Sequence, residues 1–313
     1  MTLHPSGAGR DGARLVALFV AIAALSLLPE PRSARAAPQT FNSALPVADG
    51  EFVLRGQFFH RKASSDPSPA DRKVEVLGGI AVLGYGVTHD FAVFGVLPYL
   101  DKKLGMRTPG GTRTTRGTSG IGDMRFFARY TALQRDAPGR TFRIAPFAGV
   151  ETPTGEDDER DNRGRLPPAL QLGSGSWDPF AGVVLTYQSL DFEIDTSASY
   201  QLNTEANDFD FGDEARFDAS LQLRLWPRTL GPGVPAFLYG VFEGNLVHRG
   251  KNEASGVRDR SSGGTTLLLA PGLQFVTRRW VLEAIVQLPA FQNLHGTALE
   301  DDLTVRAGFR VNF

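Results

Sequence analysis

Charged residues at every second position are the part of this sequence best suited to chemistry. In the segment 190–202, Asp191, Glu193 and Asp195 share one parity, and the other parity is mostly apolar. Such charges could line a narrow aqueous path that selects solutes by size and charge. Alternatively, they could pair with one another and fill the interior of the fold. The candidate lumen-lining residues of this polar face are Arg55, Asp123, Arg125, Arg129, Arg143, Glu151, Asp191, Glu193, Asp195, Arg216, Asp218, Arg224, Glu283, Arg306 and Arg310.

Strict alternation over ten or more residues predicts long β-strands with one apolar and one polar face. Strands of about 10–13 residues exceed the usual length of about five to six and match the length that crosses a bilayer at a tilt. The second, third and tenth segments are rich in Gly and apolar on both faces in places, which leaves their parity open. The predicted strands, about twelve in number, are 50–61, 73–87, 90–101, 120–133, 141–151, 177–188, 190–202, 214–226, 236–248, 264–276, 279–290 and 302–313.

The connections between these segments alternate in length. Those that follow odd-numbered strands are long, whereas most of those that follow even-numbered strands are short. Long loops at one end and short turns at the other are typical of outer-membrane barrels. The sequence therefore predicts an all-β fold, a single antiparallel transmembrane β-barrel of about twelve strands. The predicted long connections are 62–72, 102–119, 152–176, 203–213, 249–263 and 291–301.

The first segment has the features of a secretory signal peptide. Arg10 and Arg14 precede an apolar run at 15–28, and the small residues Ala34 and Ala36 suit cleavage by signal peptidase. The alternative is a membrane anchor, but this apolar run is shorter than the roughly 20 residues that a spanning helix needs. We expect cleavage after Ala36.

Cleavage at this point divides the chain into a signal peptide, 1–36, and a barrel, 37–313. The segment 37–49 is too short for a plug domain, although it could enter the lumen as a short tail. An exported chain that forms a transmembrane barrel belongs in the outer membrane of a Gram-negative cell.

Three aromatic residues predict contacts with the membrane and its assembly apparatus. Trp177 and Trp280 lie on the apolar parity near strand ends, where tryptophan marks the membrane interface. Phe313 ends the final strand on its apolar face, and it resembles the terminal aromatic signal read by the barrel-insertion machinery. The expected partners are outer-membrane lipid, lipopolysaccharide, the insertion machinery and a small-molecule solute.

Composition excludes several other kinds of protein. The absence of cysteine excludes a disulfide scaffold, a thiolate zinc site and a cysteine nucleophile. A net charge of −1 gives no electrostatic reason to bind nucleic acid. No histidine lies in a Gly-x-Ser-x-Gly or His-Glu-x-x-His motif. We therefore predict no enzyme activity, no catalytic residue, no cofactor and no metal.

Three short motifs carry a family resemblance. They are Gly120-Ile-Gly-Asp-Met-Arg125, Pro153-Thr-Gly155 and Leu172-Gly-Ser-Gly-Ser-Trp-Asp178. Their order resembles the outer-membrane family of phenol meta-pathway degradation proteins, which are often described as transporters. The resemblance implies a single β-barrel that moves aromatic or other small hydrophobic compounds. The glycines also have a structural interpretation, because they permit tight turns into and out of strands.

The sequence leaves open whether the lumen is a path. Barrels of eight strands are filled by side chains and barrels of sixteen to eighteen hold a channel, so twelve strands lie between these cases. We predict a channel for the passive passage of small solutes, with no visible energy source. The alternatives are an occluded structural or loop-binding barrel and, more remotely, a membrane-embedded hydrolase.

Overall fold

The computed structural model describes residues 36–230 and 236–313. The predicted signal peptide up to residue 35 lies outside the described residues. Within the described chain, no helix is long and apolar enough to cross a bilayer. The main strands are β1 (Phe52–Ala63), β2 (Lys73–Gly86), β3 (Phe91–Arg107), β4 (three stretches, Arg113–Ile121, Met124–Tyr130 and Leu133–Ala137), β5 (Arg140–Thr152), β6 (Asp178–Ser189), β7 (Phe192–Gln201), β8 (Glu214–Trp226), β9 (Ala236–Arg249), β10 (Gly264–Thr277), β11 (Trp280–Leu294) and β12 (Leu303–Asn312).

These twelve strands form one closed sheet. Each strand pairs antiparallel with the next in sequence, and β12 pairs with β1 from Val53↔Asn312 to Lys62↔Leu303. Closure leaves no unpaired sheet edge in the barrel wall. The predicted all-β fold, a single antiparallel barrel of about twelve strands, is confirmed.

The two ends of the barrel differ in the length of their connections. The short turns, such as 190–191 and 278–279, lie at one end, which we call the turn end. Here Phe313 closes the seam, because its backbone N and O bond to Phe52 at 3.0 and 2.7 Å. The long loops lie at the opposite end, the loop end.

The alternating sequence follows from the different surroundings of the two barrel faces. On β8, the outward side chains of Phe217, Leu221 and Leu223 are exposed, while the inward side chains of Asp218 and Gln222 are buried. The other strands also carry exposed large apolar side chains on their outer face. An apolar band of this kind around a closed barrel fits a lipid environment.

One predicted long loop is a strand hairpin instead. The prediction of a loop at 102–119 is wrong, because β3 continues to Arg107 and β4 begins at Arg113. The pairing runs from Tyr99↔Ile121 to Arg107↔Arg113, and the turn lies at 108–112. Arginine, threonine and glycine give this hairpin no apolar parity. A hairpin that projects beyond a membrane needs no apolar face, so hydrophobic alternation does not reveal it.

A segment before β1 crosses the inside of the barrel. Residues 36–48, which we call the strap, rise from the turn end, where Ala36 packs against Val276 and Val281. The strap crosses the lumen to Ala145 and Val184, against which Ala44 is fully buried. It then returns to the turn end, where Ala48 lies against Gly86 of β2. The short tail expected from the sequence is therefore an arch inside the lumen.

Candidate functional site

The lumen has two unlike walls. The first, which we call the aromatic wall, is formed by the inward side chains of β2–β6 and contains one phenylalanine from each of four successive strands. These are Phe94, Phe127, Phe147 and Phe180. The second, the charged wall, is formed by β7–β12 and β1, and most of its buried inward side chains are polar or charged.

The phenylalanine rings form a continuous cluster. The rings of Phe94 and Phe127 are stacked, with centroids 4.7 Å apart and an interplanar angle of 11°. Phe127 also lies 6.2 Å from Phe147 and 6.1 Å from Phe180. Offset and edge contacts at these separations are the favoured geometries of aromatic pairs. The wall therefore presents one connected aromatic surface to the lumen.

Glycines make room for these rings. A Cβ at Gly84 would lie 2.6 Å from the Phe94 ring, and a Cβ at Gly182 would lie 2.6 Å from the Phe147 ring. Both glycines occupy strand positions where any side chain would displace a ring. Glycine within these strands thus permits the close packing of the aromatic wall.

Two arginines lie over this wall. The guanidinium carbon of Arg129 is 5.0 Å from the centroid of Phe94, and that of Arg125 is 5.7 Å from the centroid of Phe180. These separations permit cation–π attraction. Arg125 also forms an ion pair with Glu151. A solute on the aromatic wall would thus meet apolar surface and positive charge together.

The charged wall is held by its own hydrogen bonds. Gln222 donates to Asp195 at 3.0 Å, and Thr186 also donates to that carboxylate. Arg216 and Asn245 donate to Asp218 at 2.8 and 2.7 Å. Because buried charges are costly without partners, these bonds are needed to keep the carboxylates inside the barrel.

Glu243 connects the charged wall to the strap. Its carboxylate accepts hydrogen bonds from the backbone N of Gln39 at 2.6 Å and from the backbone N of Thr40 at 3.1 Å, and it also accepts one from the Thr40 hydroxyl. The Glu243 side chain is fully buried. Bonds to an ionised acceptor are roughly twice as strong as neutral ones, so the three bonds make this carboxylate a strong anchor of the strap.

The strap is also tied to the rest of the lumen. Arg129 donates to the carbonyl oxygens of Ser43 and Leu45, the latter at 2.6 Å. Arg55 donates to the carbonyl oxygen of Pro38 at 2.9 Å. The strap thus spans the lumen between an arginine beside the aromatic wall and a carboxylate of the charged wall.

Three cavities follow one another along the barrel axis. The outer chamber, at the loop end, has a volume of about 490 Å³ and includes Val96, Pro98 and Leu100. The central chamber, about 270 Å³, lies between the aromatic wall and the crest of the strap. The inner chamber, about 320 Å³, lies on the turn-end side of the strap. Val96 and Arg125 border both the outer and the central chambers, so these two chambers are adjacent.

The strap residues Phe41 and Asn42 separate the central chamber from the inner one. Both side chains line both chambers, together with Arg55 and Val82 of the barrel wall. The boundary between these two chambers is therefore made partly from a segment that is not a barrel strand. A movement of the strap would widen this point without breaking any pairing between barrel strands.

The three sequence motifs meet at the rim of the outer chamber. Asp123 lies between two stretches of β4, and its carboxylate accepts from the backbone N of Gly155 at 2.8 Å and of Ser174 at 2.6 Å. A Cβ at Gly173 would lie 2.5 Å from the same carboxylate. Asp123 therefore fixes loop 153–177 to the barrel, and the motif glycines serve this packing.

Most of the predicted lumen-lining residues point inward, but Asp191 does not. It lies in the turn between β6 and β7 with its side chain 78% exposed, where it pairs with Arg224. The prediction of Asp191 as a lumen-lining residue is wrong, because β7 begins at Phe192 and Asp191 lies in the turn just before it. Trp177 and Trp280 lie with exposed side chains beside β6 at the loop end and on β11 at the turn end.

Several residues of the candidate site were not predicted from the sequence. Gln274 and Glu243 share the polar parity of their strands but lie in segments with much apolar sequence around them. Phe127 alternates with two inward arginines, and this spacing was a usable signal for its position. Phe94 gave no signal, because β3 is apolar on both faces.

Outside the barrel wall, ion pairs fix the loops. The guanidinium of Arg72 donates to Asp66 at 2.7 Å, and this holds the pKa of that carboxyl well below its usual range. Arg116 bonds to Asp161 in the same bidentate way at 2.8 Å and lowers its pKa. Within the described chain, no group of three or more His, Asp or Glu side chains is arranged to hold a metal ion.

Comparison with known proteins places this architecture in context. Residues 69–284, more than half of the chain, match the family described as "Putative MetA-pathway of phenol degradation". None of the curated proteins matches the sequence significantly.

Among solved structures, an outer membrane channel from Pseudomonas putida F1 is similar, with a TM-score of 0.66 and 14% identity over 89% of this chain and 100% of that chain. At this identity the likeness shows a shared fold. The β-domain of the Bordetella autotransporter BrkA has a TM-score of 0.46 and 14% identity, over 85% and 100% of the two chains. The CymD monoaromatic hydrocarbon channel has a TM-score of 0.39 and 10% identity, over 85% and 89%.

Proposed function

We propose that this chain, which belongs to the MetA-pathway family of phenol degradation, is an outer-membrane channel. The channel permits the passive passage of small hydrophobic compounds, aromatic ones among them. The observation that carries the proposal is the series of three chambers beside a continuous aromatic wall. Small-molecule sites combine apolar surface with placed polar groups, and all three chambers contain both kinds of side chain. The proposal includes no chemical reaction.

The proposed route starts at the loop end, outside the cell. A solute enters the outer chamber between the loops, where Val96, Pro98 and Leu100 offer apolar contacts. It then slides along the rings of Phe127 and Phe180 into the central chamber. Passage past the strap leads into the inner chamber and then to the periplasm at the turn end.

In this proposal the outer surface of the barrel lies in lipid. Trp177 and Trp280 lie at the two membrane interfaces, because indole rings favour the boundary between headgroups and hydrocarbon. The loop-end surface faces lipopolysaccharide, and Phe313 serves the insertion machinery during assembly. The solute needs no energy source, since its own concentration gradient drives the flow.

Conductance of the purified, refolded protein in a planar bilayer tests the proposal. Discrete current steps that an added small aromatic solute reduces reversibly would support a shared path for ions and solute. A silent bilayer from correctly folded protein would contradict it and favour the occluded barrel, because the strap already narrows the lumen at Phe41 and Asn42.

A further inference from the structure

Two arginines face each other across the seam of the barrel. Arg55 of β1 and Arg310 of β12 are direct partners in the antiparallel register, and both line the inner chamber. Like charges in directly opposed positions destabilise a sheet unless something compensates them. This pair therefore needs negative charge close by.

The nearest carboxylate forms an ion pair with only one of the two arginines. Glu283 accepts from Arg55 at 2.8 Å and from Gln57 at 2.7 Å with one oxygen, and from Gln274 at 3.2 Å with the other. Among the described residues, Arg310 has no ion pair, and its Nε is buried without a hydrogen-bond partner. A buried charged donor without a partner is costly, so its presence calls for a ligand.

Arg129 adds a third guanidinium to the same chamber. Its hydrogen bonds go to the carbonyl oxygens of Ser43 and Leu45, and among the described residues no carboxylate pairs with it. Glu51 also lines the chamber, close to the turn end. Glu283 and Glu193, two buried acids that interact electrostatically with Arg310, are not among the lining residues. The charged side chains that line the chamber are therefore three arginines and one glutamate.

Apart from Asn42, Ser43 and Asn312, the remainder of the chamber is apolar. Val53, Val82 and Phe94 form its barrel side, and Phe41 and Leu45 form its strap side. Its volume of about 320 Å³ lies within the range of small-ligand sites. The chamber thus combines a surface for a hydrophobic ring with guanidinium groups suited to a carboxylate.

We infer that the inner chamber binds small aromatic acids, with the carboxylate at Arg310 and Arg129 and the ring against Phe94 and the two valines. This inference rests on the proposed function, since it names the class of solute that the path favours. The site lies after the strap, so an anionic solute that has passed the strap is held there before release at the turn end.

Calorimetric titration of the full-length purified protein with benzoate, and with its neutral isostere benzamide, tests the inference. A charge-assisted hydrogen bond gives a preference of about tenfold or more, so benzoate is expected to bind at least tenfold more tightly. Arg310→Gln is expected to remove this preference while benzamide binding stays unchanged. Arg278→Gln, which removes a charge from the exposed turn between β10 and β11, is the matched control and retains the preference.

Further outcomes keep the inference testable. Equal binding of the two probes by the wild type would overturn it, as would a preference that survives both Arg310→Gln and Arg129→Gln. Acetate that binds as tightly as benzoate would remove the aromatic part of the inference. If Arg310→Gln does not fold, Arg310→Lys retains the charge and is expected to weaken benzoate binding by severalfold, because a lysine lacks the planar fork.

The titration and the conductance measurement fail independently. A conducting channel that does not prefer benzoate overturns only the inference about aromatic acids. A silent bilayer from a protein that does prefer benzoate overturns the channel and leaves an anion site in an occluded barrel.

Discussion

The aromatic wall and the charged wall enclose the same lumen but depend on different physical effects. The rings of Phe94, Phe127, Phe147 and Phe180 touch one another and need no polar partner. The carboxylates of the charged wall are occupied by partners within the barrel or by the strap. A surface that needs no partner remains available to a solute, whereas a satisfied polar network mainly fixes structure.

This difference predicts that the two walls respond unequally to truncation. Asp218→Ala is expected to destabilise the folded barrel by about 3 kcal/mol, because Arg216 and Asn245 both lose their acceptor. Phe147→Leu is expected to cost less than about 1.5 kcal/mol, because it retains most of the apolar volume. Urea unfolding in detergent measures both values. Equal losses would mean that the charged network contributes no more than simple packing.

The next largest effect concerns the strap. Glu243→Gln keeps one acceptor oxygen but removes the charge that holds the backbone N of Gln39 and Thr40. We expect the strap to leave the lumen more often, so that the open fraction in single-channel recordings rises by about tenfold. Glu253→Gln, in a loop at the loop end, is the control. An unchanged open fraction would show that Glu243 does not hold the strap.

A smaller effect is expected from the arginines over the aromatic wall. Arg125→Ala or Arg129→Ala removes a positive charge that borders the chambers beside the aromatic wall. We expect the reversal potential in asymmetric salt to shift towards cation selectivity, since a ring of charge biases the ions that pass. The exposed loop substitution Arg163→Ala is expected to leave it unchanged. If both lumen variants also retain the wild-type potential, their charges do not line the path.

The smallest effect lies outside both walls. The pKa of Asp66 is held below its usual range by Arg72, so the carboxylate stabilises loop 64–72 at pH values above its ordinary pKa of about 4. This stabilisation decreases progressively as the pH falls from the ordinary pKa towards the lowered one. The protection of this loop against hydrogen exchange, relative to the intrinsic exchange rate at each pH, should therefore be lower at pH 3 than at pH 7. Asp66→Asn should already be unprotected at pH 7 and should lose this pH dependence.

Hydrophobic alternation predicted the barrel because contact with lipid requires an apolar outer face on every strand. The segments at 190–202 and 214–226 correspond to β7 and β8 within a few residues. Alternation did not predict the projecting hairpin at 102–119, since no membrane constrains its faces. It also gave no parity for β2 and β3, where an aromatic wall makes the inner face as apolar as the outer.

The candidate site was less predictable than the fold because it depends on contacts between residues that are far apart in the sequence. The strap has no periodicity, so its path depends on contacts with residues far away in the chain, such as Gln39 with Glu243. The opposition of Arg55 and Arg310 depends on the register of the closing seam between the first and last strands. Neither a single segment nor its composition carries this information.

The rate of passage of an aromatic solute compared with a matched aliphatic one tests the central claim most directly. Phenylalanine and β-cyclohexylalanine carry the same charged groups and do not readily cross lipid, so liposome swelling reports their passage through the barrel. We predict that phenylalanine passes about two- to tenfold faster, because aromatic contacts add about 0.5–1.5 kcal/mol. Phe127→Ala should abolish the difference, whereas Phe126→Ala, which changes the neighbouring outward side chain, should preserve it. Equal rates in the wild type would contradict the role of the aromatic wall.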